Sequence, residues 1–255
     1  MNGPTGAAGL ALVESRAAKS AEIIVVALAA SVTVMGGWAL VGESALARQA
    51  VVWIANVLML GLIWLGMRLR GETWSHFGLG FRHGGARAAI RTVLQALVVL
   101  VVALVAFVAG SALMTRWAPV SSAAADMSGY EYLQGNLPML LAALAAVYVV
   151  SSFGEEVVYR GFLMNRVAEL APGPGRRAAW GAAVLVSSIA FGLVHFSWGV
   201  VGVVQTTLMG VALAVSYLVV KRNLWVLVLA HACMDSLLLI QVYMGPPGSD
   251  AGPGG

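Results

Sequence analysis

Charged residues are scarce in this chain. Of its 255 residues, 15 are Lys or Arg and 11 are Asp or Glu, so only 10% carry a charge, against roughly one quarter in an ordinary soluble domain. Apolar residues make up 60% of the sequence, and the mean hydropathy is +0.88. This composition excludes an ordinary soluble domain and predicts an all-α helical bundle that crosses a membrane several times.

Cysteine is nearly absent as well. Cys233 is the single one, which excludes an internal disulfide, and its place in an apolar run indicates packing rather than a reactive thiol. The net charge is +4, but the positive residues lie between apolar runs instead of forming a patch. They therefore indicate membrane topology, with membrane lipid as a partner, and no nucleic-acid partner is expected.

Seven apolar runs are long enough to cross about 30 Å of hydrocarbon. They lie at residues 22–41, 50–67, 89–113, 137–158, 178–197, 199–220 and 223–243. An eighth, short or re-entrant element is left open, so we expect seven to eight transmembrane helices. Residues 1–20 are small and polar and residues 245–255 are rich in Gly and Pro, so both ends are predicted to be disordered.

The positive residues are distributed asymmetrically between these runs. If the runs alternate across the membrane, twelve positive residues lie on the amino-terminal side and only Arg48 and Arg116 on the other, with Arg160 left uncounted. The twelve are Arg16, Lys19, Arg68, Arg70, Arg82, Arg87, Arg91, Arg166, Arg176, Arg177, Lys221 and Arg222. This asymmetry predicts a cytoplasmic amino terminus. The Ala, Gly, Val and Arg content is typical of a high-GC bacterium, so we expect a multi-pass protein of the bacterial inner (cytoplasmic) membrane.

Ionisable residues deep in the predicted spans occur only in the fourth, fifth and seventh runs. Each costs on the order of 3 kcal/mol near the bilayer centre, so a chance distribution is a poor explanation, and we expect one water-accessible cavity. They are Glu155, Glu156, Arg160, His195, His231 and Asp235.

Helical spacing separates the two adjacent glutamates. Glu156 and Arg160 stand at i, i+4 and are predicted to pair, whereas Glu155 points about 100° away. Glu155 is therefore the freer carboxylate, with Tyr159 at i+4 in position to donate a hydrogen bond to it. His231 and Asp235 also stand at i, i+4 and face the same neighbour. Phe191, one turn before His195, is expected to form a wall of the cavity.

These side chains are compatible with more than one chemistry. Glu155, His195 and His231 could bind a divalent metal ion, with zinc as the first choice, because zinc accepts N and O ligands and keeps one position for water. Without a metal, a glutamate and a histidine could activate water while the other histidine and Asp235 lie near the oxyanion. A proton-coupled transporter is a further alternative, since buried Glu and His side chains also conduct protons.

A shared site also requires the three runs to reach the same depth. With about 1.5 Å of rise per residue, Glu155 and His195 meet only if the fourth helix continues to about residue 170. The fifth span must then begin nearer residue 183, with 176–182 at the cytoplasmic surface. The segment at 71–87, which mixes aromatic residues with glycine and charge, is predicted to be interfacial on that surface, within an accessory region covering residues 21–136.

Three short motifs in the deep runs resemble those of a known family. EEVVYR at 155–160, FGLVH at 191–195 and HACMD at 231–235 resemble EExxxR, FxxxH and HxxxN/D. These motifs occur in this order in the CPBP family of CAAX-processing and bacteriocin-processing membrane proteases, also called Abi proteins. The family includes the type II CAAX prenyl endopeptidases. By this resemblance, residues 137–244 correspond to the family's catalytic core.

The resemblance implies an intramembrane endopeptidase, usually described as a metalloprotease, acting on membrane-associated peptides of prenylated or leader type. Glu155 would activate water with His195 as its partner, and His231 and Asp235 would bind the metal or stabilise the tetrahedral intermediate. Supporting roles would fall to Glu156 and Arg160. Some family members act through partner binding in bacteriocin immunity, so a non-catalytic immunity or scaffold protein is the other alternative. The sequence leaves the oligomeric state open.

Overall fold

The computed structural model describes residues 15–80, 85–117, 125–171 and 175–245. Within these residues the chain forms seven helices and no strand, and the predicted all-α fold is confirmed. The helices are α1 Arg16–Val41, α2 Ala45–Arg70, α3 Gly85–Trp117, α4 Leu137–Leu170, α5 Arg176–Leu193, α6 Gly199–Val219 and α7 Leu224–Met244. Each helix overlaps one of the seven predicted apolar runs, and the fifth run continues past the end of α5 at Leu193. Short 3-10 segments lie at Trp74–Phe77, Ser128–Leu133 and Phe196–Trp198.

Six of these helices are long and apolar enough to cross a membrane, compared with the seven to eight expected. The exception is α5, because two of its 18 residues are Arg176 and Arg177, which leaves a shorter apolar part. The short segment Phe196–Trp198 joins α5 to α6, and the two helices pack against each other as a hairpin. The two helices approach each other closely at Gly192, because glycine has no Cβ atom and a Cβ there would overlap the side chain of Thr207.

Local sequence signals set several helix ends. The Ser15 hydroxyl accepts a hydrogen bond from the Ala18 N–H, so α1 begins inside the predicted disordered segment 1–20; residues 1–14 lie outside the described part. Ser44 caps α2 in the same way, and Asn136 caps α4, as is usual for short polar side chains at helix starts. Gly245 ends α7, and the remainder of the predicted tail lies outside the described residues.

The fourth helix is continuous from Leu137 to Leu170, which confirms the extension to about residue 170 that a shared site requires. Its central part, Tyr148–Leu163, is a π-helix, with i to i+5 hydrogen bonds and therefore a smaller rotation per residue than an α-helix. This π segment packs against α2, α5 and α7. The motif EEVVYR consequently lies in the centre of the bundle, while α1 lies at its edge, with Val26 as its one buried residue.

A network of ion pairs joins α1 and α2 to the carboxyl end of α4. The fully buried Arg166 side chain contacts Glu22 at 3.1 Å, Glu169 at 3.1 Å and Glu72. Arg70 contacts Glu22 at 2.6 Å and Glu72 at 3.2 Å. These arginines, expected from the sequence only to mark topology, therefore connect the accessory helices to the helix that carries the deep glutamates.

The charge of Glu72 is stabilised within this network. Burial by itself raises the pKa of Glu72, but hydrogen bonds and positive charge from Arg166 and Arg70 outweigh it and hold the pKa below its ordinary value of 4.5. The following segment Trp74–Phe77, part of the predicted interfacial stretch 71–87, is packed into the bundle end, since Phe77 is completely buried. Residues 81–84 of that stretch lie outside the described residues.

Candidate active site

Glu156 and Arg160 form a buried ion pair at the centre of the π segment. Arg160 Nη1 donates to Glu156 Oε1 at 2.8 Å, and both side chains are fully buried, which confirms the pairing predicted from their spacing. The guanidinium also lies 4.3 Å from the centre of the Phe191 ring. These contacts compensate the Arg160 charge, because an unpaired buried guanidinium would be strongly destabilising.

Glu156 also fixes the orientation of His231 on α7. His231 Nδ1 lies 2.8 Å from Glu156 Oε1, and a carboxylate that is already paired with an arginine only accepts hydrogen bonds. Nδ1 therefore donates the proton, and Nε2 is directed away from Glu156. It lies 3.9 Å from Glu155 Oε2 and 3.6 Å from Asp235 Oδ1. Glu156 thus acts on the site by setting the tautomer and rotation of the imidazole.

Glu155 is the carboxylate that remains available in this cluster. Its side chain is 17% exposed, while its Oε2 atom is buried and has no hydrogen-bond partner among the described residues. This agrees with the prediction that Glu155 is the freer glutamate. The expected hydrogen bond from Tyr159 does not form within the described part of the chain; the Tyr159 ring packs edge-on against Phe191 at 5.3 Å instead. The packing of the Tyr159 ring on Phe191 takes the place of the hydrogen bond expected from helical spacing.

Asp235 is held by a residue that the sequence analysis did not single out. Ser152 Oγ donates to Asp235 Oδ2 at 2.6 Å, which leaves Oδ1 beside His231 Nε2. Ser152 is completely buried in the π segment, four residues before Glu156. The signal that could have indicated it is the pair of serines in SSFGEE at 151–156, since polar side chains are unusual in an apolar span.

His195 lies just beyond the end of α5 and is held by a different set of contacts. Its Nδ1 lies 2.7 Å from the Phe191 carbonyl; because a carbonyl only accepts, Nδ1 donates and Nε2 is left as the free acceptor. The His195 ring packs on Trp198 at 4.8 Å and on Phe191 at 5.0 Å. Phe191 in turn lies 6.0 Å from the His231 ring, so this phenylalanine stands between the two histidines.

The structure therefore brings five of the predicted residues into direct contact. The cluster consists of Glu155, Glu156, Arg160, His231 and Asp235. His195 is adjacent across Phe191, and neither of its ring nitrogens contacts a carboxylate within the described residues. His231, rather than His195, is the histidine nearest to a Glu155 oxygen. The reason is that α5 ends at Leu193, so His195 follows a turn instead of a helical face.

A second residue not anticipated from the sequence lies in the segment between α3 and α4. Tyr130 packs edge-on against Trp198, with ring centres 6.4 Å apart. Burial raises the pKa of the Tyr130 phenol, and the neighbouring Tyr132, Glu155 and Asp235 raise it further. Tyr130 therefore keeps its proton and has a hydroxyl that can donate a hydrogen bond. Its stretch, SGYEYL, has no motif that could have identified it.

The predicted metal ligands do not form a recognisable metal centre. In the described parts of the chain, no group of three or more His, Cys, Asp or Glu side chains is arranged to hold a metal ion. Glu155 and His231 are neighbours, but His195 makes its contacts elsewhere. The residues present thus do not fit the expected set, and the zinc ion stays a prediction.

Comparison with protein families identifies the part of the chain that contains this cluster. Residues 137–237 match the model of the family described as type II CAAX prenyl endopeptidase Rce1-like. Residues 137–237 are therefore similar to this family, and we call them the Rce1-like domain. This confirms the family resemblance drawn from the three motifs, all of which lie within the match. The search of curated proteins and the search of solved structures each gave no match.

The Rce1-like domain covers α4, α5, α6 and most of α7, and the helices α1–α3 precede it. The family is one of endopeptidases by its description, and the multiple long apolar helices make the chain a multi-pass membrane protein. All six deep ionisable residues belong to the Rce1-like domain. The accessory region contributes to it through the ion pairs of Glu22 and Glu72 with Arg166.

Proposed function

We propose that the chain is an intramembrane endopeptidase that hydrolyses peptide bonds of membrane-associated peptides, with Glu155 as the general base for water. The observation that carries this proposal is the state of the Glu155 carboxylate. Its Oε2 atom is buried and unpartnered within the described residues, and it lies 3.9 Å from His231 Nε2. At that separation one water molecule can hydrogen-bond both atoms at about 2.8 Å.

The proposed reaction uses the side chains of this cluster. Glu155 accepts a proton from water as the water oxygen forms a bond to the carbonyl carbon of the scissile peptide. Glu155 then delivers this proton to the amide nitrogen, the C–N bond breaks, and the products are a carboxylate and an amine. His231 Nε2 accepts the other hydrogen of the water and holds it in place, with Asp235 beside this nitrogen, and Glu156 keeps His231 in its orientation through Nδ1.

The developing oxyanion needs hydrogen-bond donors. We assign this role first to the Tyr130 hydroxyl, because the raised pKa keeps its proton in place and Glu155 and Asp235 are among its neighbours. His195 Nε2 is an acceptor while Nδ1 donates to the Phe191 carbonyl. No step is assigned to His195, because its contacts are with Phe191 and Trp198 among the described residues; the role of partner to Glu155 stays an expectation from the family resemblance.

The substrate is proposed from the family description and the surroundings of the site. Prenylated peptides follow from the words of that description, and leader-type membrane peptides are the alternative in a bacterium. The positive residues near the ends of α2, α4 and α6 support a cytoplasmic amino terminus in the inner membrane. With this orientation the amino-terminal ends of α5 and α7 also face the cytoplasm.

The test compares purified wild type with Glu155→Gln on a panel of membrane-tethered peptides, prenylated and unprenylated. Loss of a general base is expected to lower the cleavage rate by about 100-fold to 10,000-fold. Glu131→Gln is the matched control, because Glu131 is exposed in the segment before α4. Equal cleavage by wild type and Glu155→Gln would reject the role of Glu155. Proton-driven flux in proteoliposomes without cleavage would favour the transporter instead.

Dependence on metal is decided separately. Wild-type protein is treated with a chelator, desalted and assayed on the peptide that it cleaves best, before and after addition of zinc. The reaction proposed above predicts full activity after chelation. Loss of cleavage that zinc restores, together with one bound zinc per chain that is absent in His231→Ala, would instead establish the zinc centre predicted from the sequence.

A further inference from the structure

Two adjoining open pockets lie at one end of the bundle, away from the glutamate and histidine cluster. The first has a volume of about 250 Å³ and is lined by His76, Lys221, Arg222 and Asn223, among others. The second, of about 410 Å³, is lined by Arg176, Trp180 and Glu169 and shares His76 and Arg222 with the first. The pockets therefore form one cleft, which we call the basic cleft.

The basic cleft has an excess of positive charge. Arg176, Lys221 and Arg222 line it, and none of them pairs with a carboxylate within the described residues. The single carboxylate in the lining, Glu169, is already engaged by Lys19 at 2.9 Å, by Arg166 at 3.1 Å and by His76 at 3.1 Å. Three cations are consequently left to attract an anion.

The position of Arg222 is set before any ligand arrives. Arg222 Nη1 donates to Asn165 Oδ1 at 2.8 Å, and the guanidinium lies 5.8 Å from the Trp180 ring centre. Lys221 and Arg222 both have φ of +57°, a left-handed conformation that residues other than glycine rarely adopt. Such strain in consecutive residues is found where the surroundings hold a functional group in place.

The basic cleft lies where helix ends meet. The turn at 220–223 connects α6 to α7, α2 ends at Arg70, and α5 begins at Arg176 without a side-chain cap at Gly175. The ends of membrane-crossing helices lie at the level of the lipid headgroups. Phosphate is the anion concentrated there, and arginine binds it through two parallel N–H donors.

From this charge, geometry and location we infer that the basic cleft binds a phosphate group, supplied by the headgroup of an anionic lipid. Binding at this cleft also affects α4. Asn165, which holds Arg222, donates to the backbone carbonyls of Arg160 and Gly161 at 3.2 Å and 2.6 Å. An occupied cleft therefore stabilises the end of the π segment that contains Arg160, and this inference does not depend on the proposed protease activity.

The test measures thermal unfolding of the full-length protein in uncharged detergent during titration with phosphatidylglycerol, phosphatidylcholine or inorganic phosphate. Phosphatidylglycerol is expected to raise the Tm of wild type, whereas phosphatidylcholine is not. In Arg176→Gln/Lys221→Gln the half-saturating concentration of phosphatidylglycerol should rise by about tenfold or more, since two charge-assisted contacts are lost. Both side chains are exposed, so this variant should fold normally.

The control removes the same charge at the opposite end of the bundle. Arg48→Gln/Arg116→Gln should respond to phosphatidylglycerol like wild type, and Arg222→Gln should lose the response like the first double variant. Equal responses in wild type and Arg176→Gln/Lys221→Gln, or an equal shift with phosphatidylcholine, would overturn the inference. Saturation by inorganic phosphate at the same concentration as the lipid would overturn the lipid as its source.

Discussion

Replacement of Arg166 by methionine tests the connection between the accessory helices and the Rce1-like domain. Arg166 is completely buried and contacts three carboxylates, and methionine preserves much of its apolar stem. Breaking a buried ion pair from one side costs about 3–5 kcal/mol. The cost should be at the lower end, about 3 kcal/mol, because each carboxylate retains another cationic partner. Glu22 and Glu72 still pair with Arg70, and Glu169 still pairs with Lys19.

The assay is reversible unfolding in mixed micelles, followed by circular dichroism as a denaturing detergent is added. Arg48→Met is the matched control, because its partner Glu43 is 90% exposed, and exposed pairs contribute about 0–1 kcal/mol. The comparison is of the free energies of unfolding of the two variants and wild type. If Arg166→Met loses no more than Arg48→Met, then the network does not stabilise the fold, and the reasoning from burial is refuted.

Three further predictions concern single contacts. Glu72→Gln should lower the free energy of unfolding at pH 7. The difference from wild type should shrink as the pH falls below 4.5, because the pKa of Glu72 is lower in the folded state, and the stability from its charge is lost as the carboxylate is protonated. A difference independent of pH would contradict this. Gly154→Ala should reduce cleavage and stability, since its Cβ would overlap Asn56 Oδ1, and Asn56→Ala in the same chain should restore both; a double variant no better than the single one would refute the overlap. Tyr130→Phe should lower the cleavage rate without changing the Tm, whereas Tyr132→Phe should not, and equal rates would remove Tyr130 from the site.

Much of the architecture could be predicted from composition and spacing. An apolar run of about 20 residues has to satisfy its backbone hydrogen bonds internally in lipid, so the positions of the seven helices follow directly from the sequence. The Glu156 and Arg160 pair was also predictable, since i, i+4 is a contact within one helix. The motif order was sufficient to indicate the Rce1-like family. Each of these predictions depends only on residues that are near one another in the sequence or on the order of motifs along it.

Other features depend on contacts between helices and had no local signal. Tyr159 packs on Phe191 of α5 instead of donating to Glu155, although helical spacing predicts that Tyr159 and Glu155 meet. His195 was expected beside Glu155, but the end of α5 at Leu193 turns it toward Trp198. Ser152 contacts Asp235 only because α4 and α7 pack together, and Tyr130 contacts Trp198 only because the segment before α4 packs there.

The sequence by itself determined that this is a membrane bundle, which residues are costly to bury and which of the two glutamates is paired within its own helix. Only the tertiary structure decided that His231 is the histidine beside Glu155, that Ser152 holds Asp235, and that Arg166 joins two accessory helices to α4. The physical reason is that pairing within a helix is set by the pitch of one backbone. The distance between side chains on different helices depends on how the helices pack and where each one ends.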